Sequence, residues 1–169
     1  CTYVVPVRVD IIDADASIED RTTGTGSDQF NYVGSWDDNT ASGYYDNTHT
    51  YSDTTGDTAT VSFTGAGIDF YGGTGTGGGI AAVSVDGGPE QKVDTYAATD
   101  AGNVLLWQSG PLESGTHTFT LRVTGDQDAS SAGAWISADR VDITSDTLSI
   151  SMPADTTSTS RRLIMRGPP

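Results

Sequence analysis

The sequence predicts an all-β protein built as an antiparallel β-sandwich. Three observations support this prediction. Apolar and polar residues alternate along several short segments, turn signals recur roughly every 8–12 residues, and strong helix formers are scarce while Thr and Gly are abundant. This combination is typical of short strands joined by tight turns.

Alternation is clearest in residues 116–124, where His117, Phe119, Leu121 and Val123 share one face and polar residues share the other. Successive side chains of a strand point to opposite faces, so this spacing predicts a half-buried strand with His117 at one end of its core face. Similar patterns or short apolar runs predict strands at 4–12, 58–64, 68–70, 81–85, around Val93, at 104–107 and at 135–143.

The connections between these strands are predicted to be turns and loops. Asp86-Gly87-Gly88 ends one inward-facing row and supplies residues that tolerate the positive φ of a tight hairpin. Two long polar segments, 13–28 and 36–55, are predicted as loops, the first with at most a short turn near residues 17–20. No segment predicts a helix.

Charge restricts the partners. The chain has 169 residues, which suits one domain, and it carries 23 acidic against 8 basic residues for a net charge of −15. We therefore expect no nucleic-acid binding and no attraction to an anionic membrane surface. No apolar run approaches the ~18 residues of a membrane span, so none is predicted.

The compartment is expected to be extracellular or the cell surface. Asp-rich, Lys-poor composition fits such a location or a high-salt environment, because carboxylates hold water and salt screens their repulsion. The single cysteine, Cys1, excludes an internal disulfide. Cys1 is a candidate lipidation site, as left by a lipoprotein signal peptide, or simply the first residue of this chain; both interpretations stay open.

One glycine motif resembles a nucleotide-binding loop. Residues 73–78 match G-x-G-x-x-G, but that fingerprint requires a helix N-terminus directly after it to hold the pyrophosphate. Here a strand-like segment, 80–85, follows. We therefore predict a β–β loop and no nucleotide site.

Calcium is the one cofactor that the sequence suggests. Asp13 and Asp15 open like a calcium loop, but an EF-hand would then need Gly at position 18 and Glu at position 24, where the chain has Ile18 and Gly24. A different calcium site at Asp13 and Asp15 and a solvated acidic loop are both open alternatives.

No motif indicates catalysis. G-x-S-x-G and H-E-x-x-H are absent from the sequence, and two histidines, His49 and His117, are too few for most zinc sites. Nothing distinguishes a pair of carboxylates among the many aspartates. The expectation is that the chain is not an enzyme.

Aromatic residues in polar segments are the candidate ligand-binding set: Trp36, Tyr44, Tyr45, His49 and Tyr71. Aromatic faces on polar loops stack on sugar rings, and nearby Asp and Asn accept hydrogen bonds from hydroxyls. The alternative is that these rings pack beneath the loop as a small satellite cluster. Trp107 and Trp135, each inside an apolar segment, are predicted to be core residues.

An ordered series of blocks carries a family resemblance. The blocks are 32–36 (YVGSW), 44–49, 60–72 (TVSFTGAGIDFYG), 81–88 (AAVSVDGG), 105–112 (LLWQSGPL), 115–121 (GTHTFTL) and 135–142 (WISADRVD). Together they resemble the galactose-binding-like jelly-roll modules that are appended to secreted glycoside hydrolases and are found in surface and phage tail proteins. The resemblance implies a jelly-roll sandwich that often binds carbohydrate and sometimes a structural calcium ion.

These observations divide the chain into three parts: an N-terminal strand and acidic extension (1–27), the sandwich (28–145), and a C-terminal linker with a possible edge or intermolecular strand (146–169). The first functional hypothesis is a non-catalytic extracellular carbohydrate-binding or adhesion module. The second is a structural subunit of a filament, appendage or virion, a homopolymer assembled by strand addition. Its candidate assembly residues are Val4, Val5, Val7, Leu163 and Ile164.

Overall fold

The computed structural model describes residues 16–145. Predictions for Cys1, Val4, Val5, Val7, Asp13, Asp15, Leu163 and Ile164 lie outside the described residues. The strands are β1 (Ala16–Glu19), β2 (Phe30–Val33), β3 (Asp37–Thr40), β4 (Thr48–Ser52), β5 (Thr58–Gly65), β6 (Gly67–Thr74), β7 (Gly79–Val85), β8 (Gln91–Asp94), β9 (Ala101–Gln108), β10 (Gly115–Gln127), β11 (Ile136–Ala138) and β12 (Arg140–Thr144).

Two larger sheets form the sandwich. One contains four strands in the order β1-β12-β6-β9, and the other contains five in the order β2-β5-β10-β7-β8. The pairs between named strands are antiparallel, as in β5 and β10, where Phe63 lies opposite His117. The predicted all-β, antiparallel sandwich is confirmed, and within residues 16–145 the only helical element is the 3₁₀ turn Tyr45–Asn47.

The core contains the residues that the alternation placed on inward faces. Phe63, Phe119 and Leu121 are fully buried. The other fully buried residues on these inward faces are Ala59, Val61, Ile68, Phe70, Ala81, Val83 and Val123. The ring centroids of Phe70 and Phe119 lie 5.5 Å apart, which joins the two sheets. His117 ends the core face of β10, with its ring 5.6 Å from Phe63 and its Nδ1 2.7 Å from Asp86 Oδ2.

Two segments predicted as loops contain strands instead. Residues 36–55 form β3, the 3₁₀ turn and β4, which join β11 in a third sheet of order β11-β4-β3. Residues 16–19 form β1, which pairs with β12 and buries Ile18. Both segments were predicted wrongly because none of these strands shows apolar alternation. β4 buries mainly polar side chains, the four residues of β3 are all exposed, and β1 buries only Ile18.

Candidate functional site

The outer face of the three-stranded sheet forms the floor of a groove. In the register of β3 and β4, Asn39 lies opposite His49 and Asp37 lies opposite Tyr51. Directly opposed residues point to the same face, and so do residues two apart on one strand. The sheet therefore presents two aromatic rings, an amide and a carboxylate on one surface.

The opposite face of the same sheet rests on a buried carboxylate. Thr50 Oγ1 donates to Asp20 Oδ2 at 2.7 Å, and Thr48 Oγ1 lies 2.8 Å from both Asp20 Oδ1 and Glu19 Oε1. Asp20 is fully buried, and burial raises the pKa of its carboxyl group. Hydroxyl–carboxylate hydrogen bonds thus replace apolar packing beneath the groove.

His49 is the central residue of the groove floor. Its ring is stacked on that of Tyr44, with centroids 4.0 Å apart, and lies 5.6 Å from that of Tyr51. The residue is 7% exposed, and within residues 16–145 nothing hydrogen-bonds its buried Nδ1. Burial, assisted by the charge of Arg21, lowers its pKa, so His49 is neutral at pH 7.

Trp135 forms the wall that sequence reasoning missed. It was predicted as a core residue, but it is only half-buried and precedes β11, where it lines the groove together with His49. The prediction failed because Trp135 is followed directly by the buried Ile136. The apolar pattern does not show that the core begins only at Ile136. Trp107, by contrast, packs against the core beside Phe119.

Two glycines of the G-x-G-x-x-G motif, Gly73 and Gly77, leave room for aromatic rings of the groove. A Cβ at Gly73 would lie 2.2 Å from the Tyr44 hydroxyl oxygen, and one at Gly77 would lie 2.3 Å from Nε1 of Trp135. Gly102 of β9 leaves similar room for the Tyr44 ring, at 2.6 Å. The glycine loop that the sequence predicts between two strands therefore lets the backbone lie directly against the rings of Tyr44 and Trp135.

Asp139 holds the loop that carries Tyr44 and Tyr45. It separates β11 from β12, it is fully buried, and its two carboxylate oxygens accept hydrogen bonds from the Tyr45 backbone N–H at 2.9 and 3.2 Å. Burial, together with the charge of Asp20, raises the pKa of Asp139 to about 6. The groove therefore depends on two neighbouring buried acids.

The structure separates the five residues predicted to bind ligand. Tyr44 and His49 line the groove, while the Arg140 guanidinium lies over the ring of Tyr71 at 3.7 Å and over that of Tyr45 at 5.0 Å. Trp36 packs against the core side, 5.1 Å from the ring of Tyr32. Sequence reasoning placed Trp135 in the core, and it counted Tyr51 in the same polar aromatic segment but not among the candidate ligand-binding residues.

Two cavities make up the groove and share His49 and Trp135 as walls. The larger, about 400 Å³, also contacts Asp37, Asn39, Tyr51 and Asp53, and the smaller, about 270 Å³, contacts Ser42, Tyr44 and Asp100. The charged side chains that line them are all aspartates. Over residues 16–145, no group of three or more His, Cys, Asp or Glu side chains could hold a metal ion, and calcium at Asp13 and Asp15 stays a prediction.

The chain is similar in sequence to a curated protein and in fold to several solved structures. No family profile matches the chain. A curated protein of Flavonifractor plautii, an A type blood alpha-D-galactosamine galactosaminidase, is 31% identical over 93 residues, or 55% of this chain. That match spans only 8% of the length of the galactosaminidase.

Solved structures show the same fold. An exo-beta-1,3-galactanase of Phanerochaete chrysosporium, solved with beta-1,3-galactotriose, gives a TM-score of 0.53 at 17% identity and matches 78% of this chain and 29% of its own. The same enzyme solved with galactose gives 0.53 at 20% identity over the same shares. The Agl-KA catalytic domain gives 0.50 at 13% identity, over 83% of this chain and 29% of its own.

These findings correct one expectation. The prediction that the chain is not an enzyme is wrong, because the proteins it matches are a galactosaminidase, a galactanase and a catalytic domain. The chain spans less than a third of each of them. The described part of the chain contains no helix long and apolar enough to cross a membrane.

Proposed function

We propose that this chain is a galactose-binding-like module of a carbohydrate-active enzyme, and that it binds glycan in the groove of His49 and Trp135. The observation that carries this proposal is that one surface combines aromatic rings with exposed Asp and Asn side chains. Sugar rings offer both apolar C–H faces and hydroxyl groups, which match this mixed lining.

The charge of the groove narrows the ligand class. Asp37, Asp53 and Asp100 line the two cavities, and neutral His49 adds no positive charge. Carboxylated or sulfated sugars would meet like charge there, whereas neutral hexoses and amine-bearing hexoses would not. The name of the curated relative, which includes galactosamine, agrees with this class.

The resemblance and the acidic, Lys-poor composition support an extracellular or cell-surface location as part of the same proposal. Calcium at Asp13 and Asp15 remains a separate proposal, which a titration of the full chain with Ca²⁺ tests. Homopolymer formation through Val4, Val5, Val7, Leu163 and Ile164 stays a prediction.

The experiment is an NMR titration of the full chain, with Ca²⁺ present, against galactose, galactosamine, galacturonate and beta-1,3-galactotriose, followed by a glycan array. We expect shifts confined to the signals of His49, Tyr51 and Trp135 with galactose or galactosamine, and weaker shifts with galacturonate. If no glycan binds, or if the shifts fall elsewhere on the sandwich, the proposal is wrong.

A further inference from the structure

The geometry points to two adjoining sugar subsites, so that the groove takes a glycan of at least two units rather than a single monosaccharide. This inference rests on the proposed function and deepens it. The two subsites are the cavities on either side of the His49–Trp135 pair, the larger one beside Tyr51 and the smaller one beside Tyr44.

The volume of each cavity is sufficient for one hexose unit. A hexose unit displaces roughly six water volumes, on the order of 180 Å³, since each water in the liquid takes about 30 Å³. Each cavity, at about 400 and 270 Å³, is therefore large enough for one hexose unit with some bound water. Neither cavity has to hold both units of a disaccharide.

Shared walls are the second argument. His49 and Trp135 line both cavities, so the cavities adjoin and can be bridged by a single glycosidic linkage. The His49 ring lies between the rings of Tyr44 and Tyr51, which belong one to each cavity. The Tyr44 ring is stacked on His49 and lies against Gly102, so the ring that both cavities offer to a sugar is that of half-buried Trp135, with Tyr51 added in the larger cavity.

Separate polar groups are the third argument. The larger cavity has Asn39 and two carboxylates of its own, and the smaller has Ser42 and Asp100. Asp100 is exposed and accepts one hydrogen bond from the Thr76 N–H through Oδ1, at 3.2 Å. Its second oxygen can accept a hydrogen bond from a hydroxyl or amine group of the sugar unit that lies in the smaller cavity.

The test compares galactose, a galactobiose and beta-1,3-galactotriose by isothermal titration calorimetry on the full chain. The galactobiose is expected to bind at least about tenfold more tightly than galactose, because the second unit adds contacts without a second loss of translational freedom. The galactotriose is expected to gain little more. Equal affinities for galactose and galactobiose would overturn the two-subsite inference while leaving the sugar site intact.

Two variants locate the second subsite. Asp100→Ala is expected to weaken galactobiose binding several-fold and to leave galactose binding within about twofold. Asp94→Ala is the matched control, since Asp94 is also exposed and also accepts one backbone N–H, from Tyr96 at 2.9 Å, but lies outside both cavities.

The outcomes separate the two proposals. If Asp100→Ala weakens galactose and galactobiose equally, or if Asp94→Ala matches its effect, the second subsite is wrong. If no sugar binds to the unmodified chain, the proposed function fails and this inference fails with it. Filling the smaller cavity provides an independent check. Ser42→Phe adds a ring to the wall of that cavity, and it is expected to reduce the affinity for galactobiose to that for galactose.

Discussion

The sandwich core and the three-stranded sheet are held together by different chemistry. Phe63, Phe70 and Phe119 fill the space between the two large sheets without a polar atom. The small sheet instead rests on Asp20, and the adjoining tyrosine loop on Asp139, both fully buried. Apolar packing is insensitive to pH, whereas buried carboxylates couple the shape of the groove to protonation.

This contrast explains where the groove lies. A sheet that buries hydroxyls and carboxylates on one face can leave aromatic rings half-covered on the other, because its stability does not require every ring in the core. Specific hydrogen bonds then orient those rings.

The core is expected to dominate stability. Phe119→Ala should lower the free energy of unfolding by about 3–5 kcal/mol, because it removes a fully buried ring that contacts Phe70 and Trp107. Urea denaturation followed by circular dichroism measures this loss. A loss below about 1 kcal/mol would show that the sandwich core is not the main source of stability.

The buried carboxylate of Asp20 is expected to contribute less. Asp20→Ala should cost about 1–3 kcal/mol, because it leaves the hydroxyl of Thr50 without its acceptor. Asp20→Asn should cost less than half as much. An amide can donate to Thr48 Oγ1, whose single proton is then free for Glu19. Equal losses in the same denaturation assay would contradict the hydrogen-bond arrangement described here.

Acidification is expected to act on Asp139 and His49 with opposite signs. The pKa of Asp139 is raised to about 6, so the folded state binds this proton more tightly and gains stability as the pH falls from 7 to 5. The pKa of His49 is lowered, so the unfolded state binds that proton first and the folded state loses stability below pH 6.5. His117 adds to the gain, because Asp86 raises its pKa.

Thermal melts at pH 7 and pH 5 test the opposite signs assigned to Asp139 and His49, because the change in Tm between the two pH values is compared between each variant and the wild-type chain. The change in Tm from pH 7 to pH 5 should be less favourable in Asp139→Asn than in the wild-type chain, and more favourable in His49→Asn, by a few degrees in each case. Shifts of the same sign in both variants would refute it.

The last substitution acts on sugar binding through the glycine loop. Gly77→Ala should move the Trp135 ring and weaken sugar binding several-fold, because its Cβ would lie 2.3 Å from Nε1. Gly115→Ala is the control, since a Cβ there meets nothing within 4 Å. Calorimetric titration with galactobiose measures both. Unchanged affinity in Gly77→Ala would show that the loop does not position the ring.

Sequence reasoning predicted the apolar part of the molecule and missed much of the polar part. Phe119, Leu121 and Val123 alternate with polar residues, so burial follows directly from their spacing. β4 lacks that signal, because Thr48 and Thr50 are buried through long-range hydrogen bonds to Asp20 that no local pattern encodes. β1 and β3 lack it because β1 buries a single residue and β3 buries none. Trp135 was misplaced for a related reason: its neighbour Ile136 is core, while its own ring faces the groove.

The most direct test compares two tryptophans that are both half-buried. Trp135 lines both cavities, whereas Trp36, which the sequence predicted to bind ligand, packs against Tyr32 and the core. Galactobiose binding by Trp135→Ala and Trp36→Ala is measured by calorimetry on chains shown to be folded by circular dichroism. We predict that Trp135→Ala loses at least about tenfold in affinity and that Trp36→Ala stays within about twofold of the wild-type chain. Retained affinity in Trp135→Ala, or the larger loss in Trp36→Ala, would contradict the assignment of the groove as the sugar site.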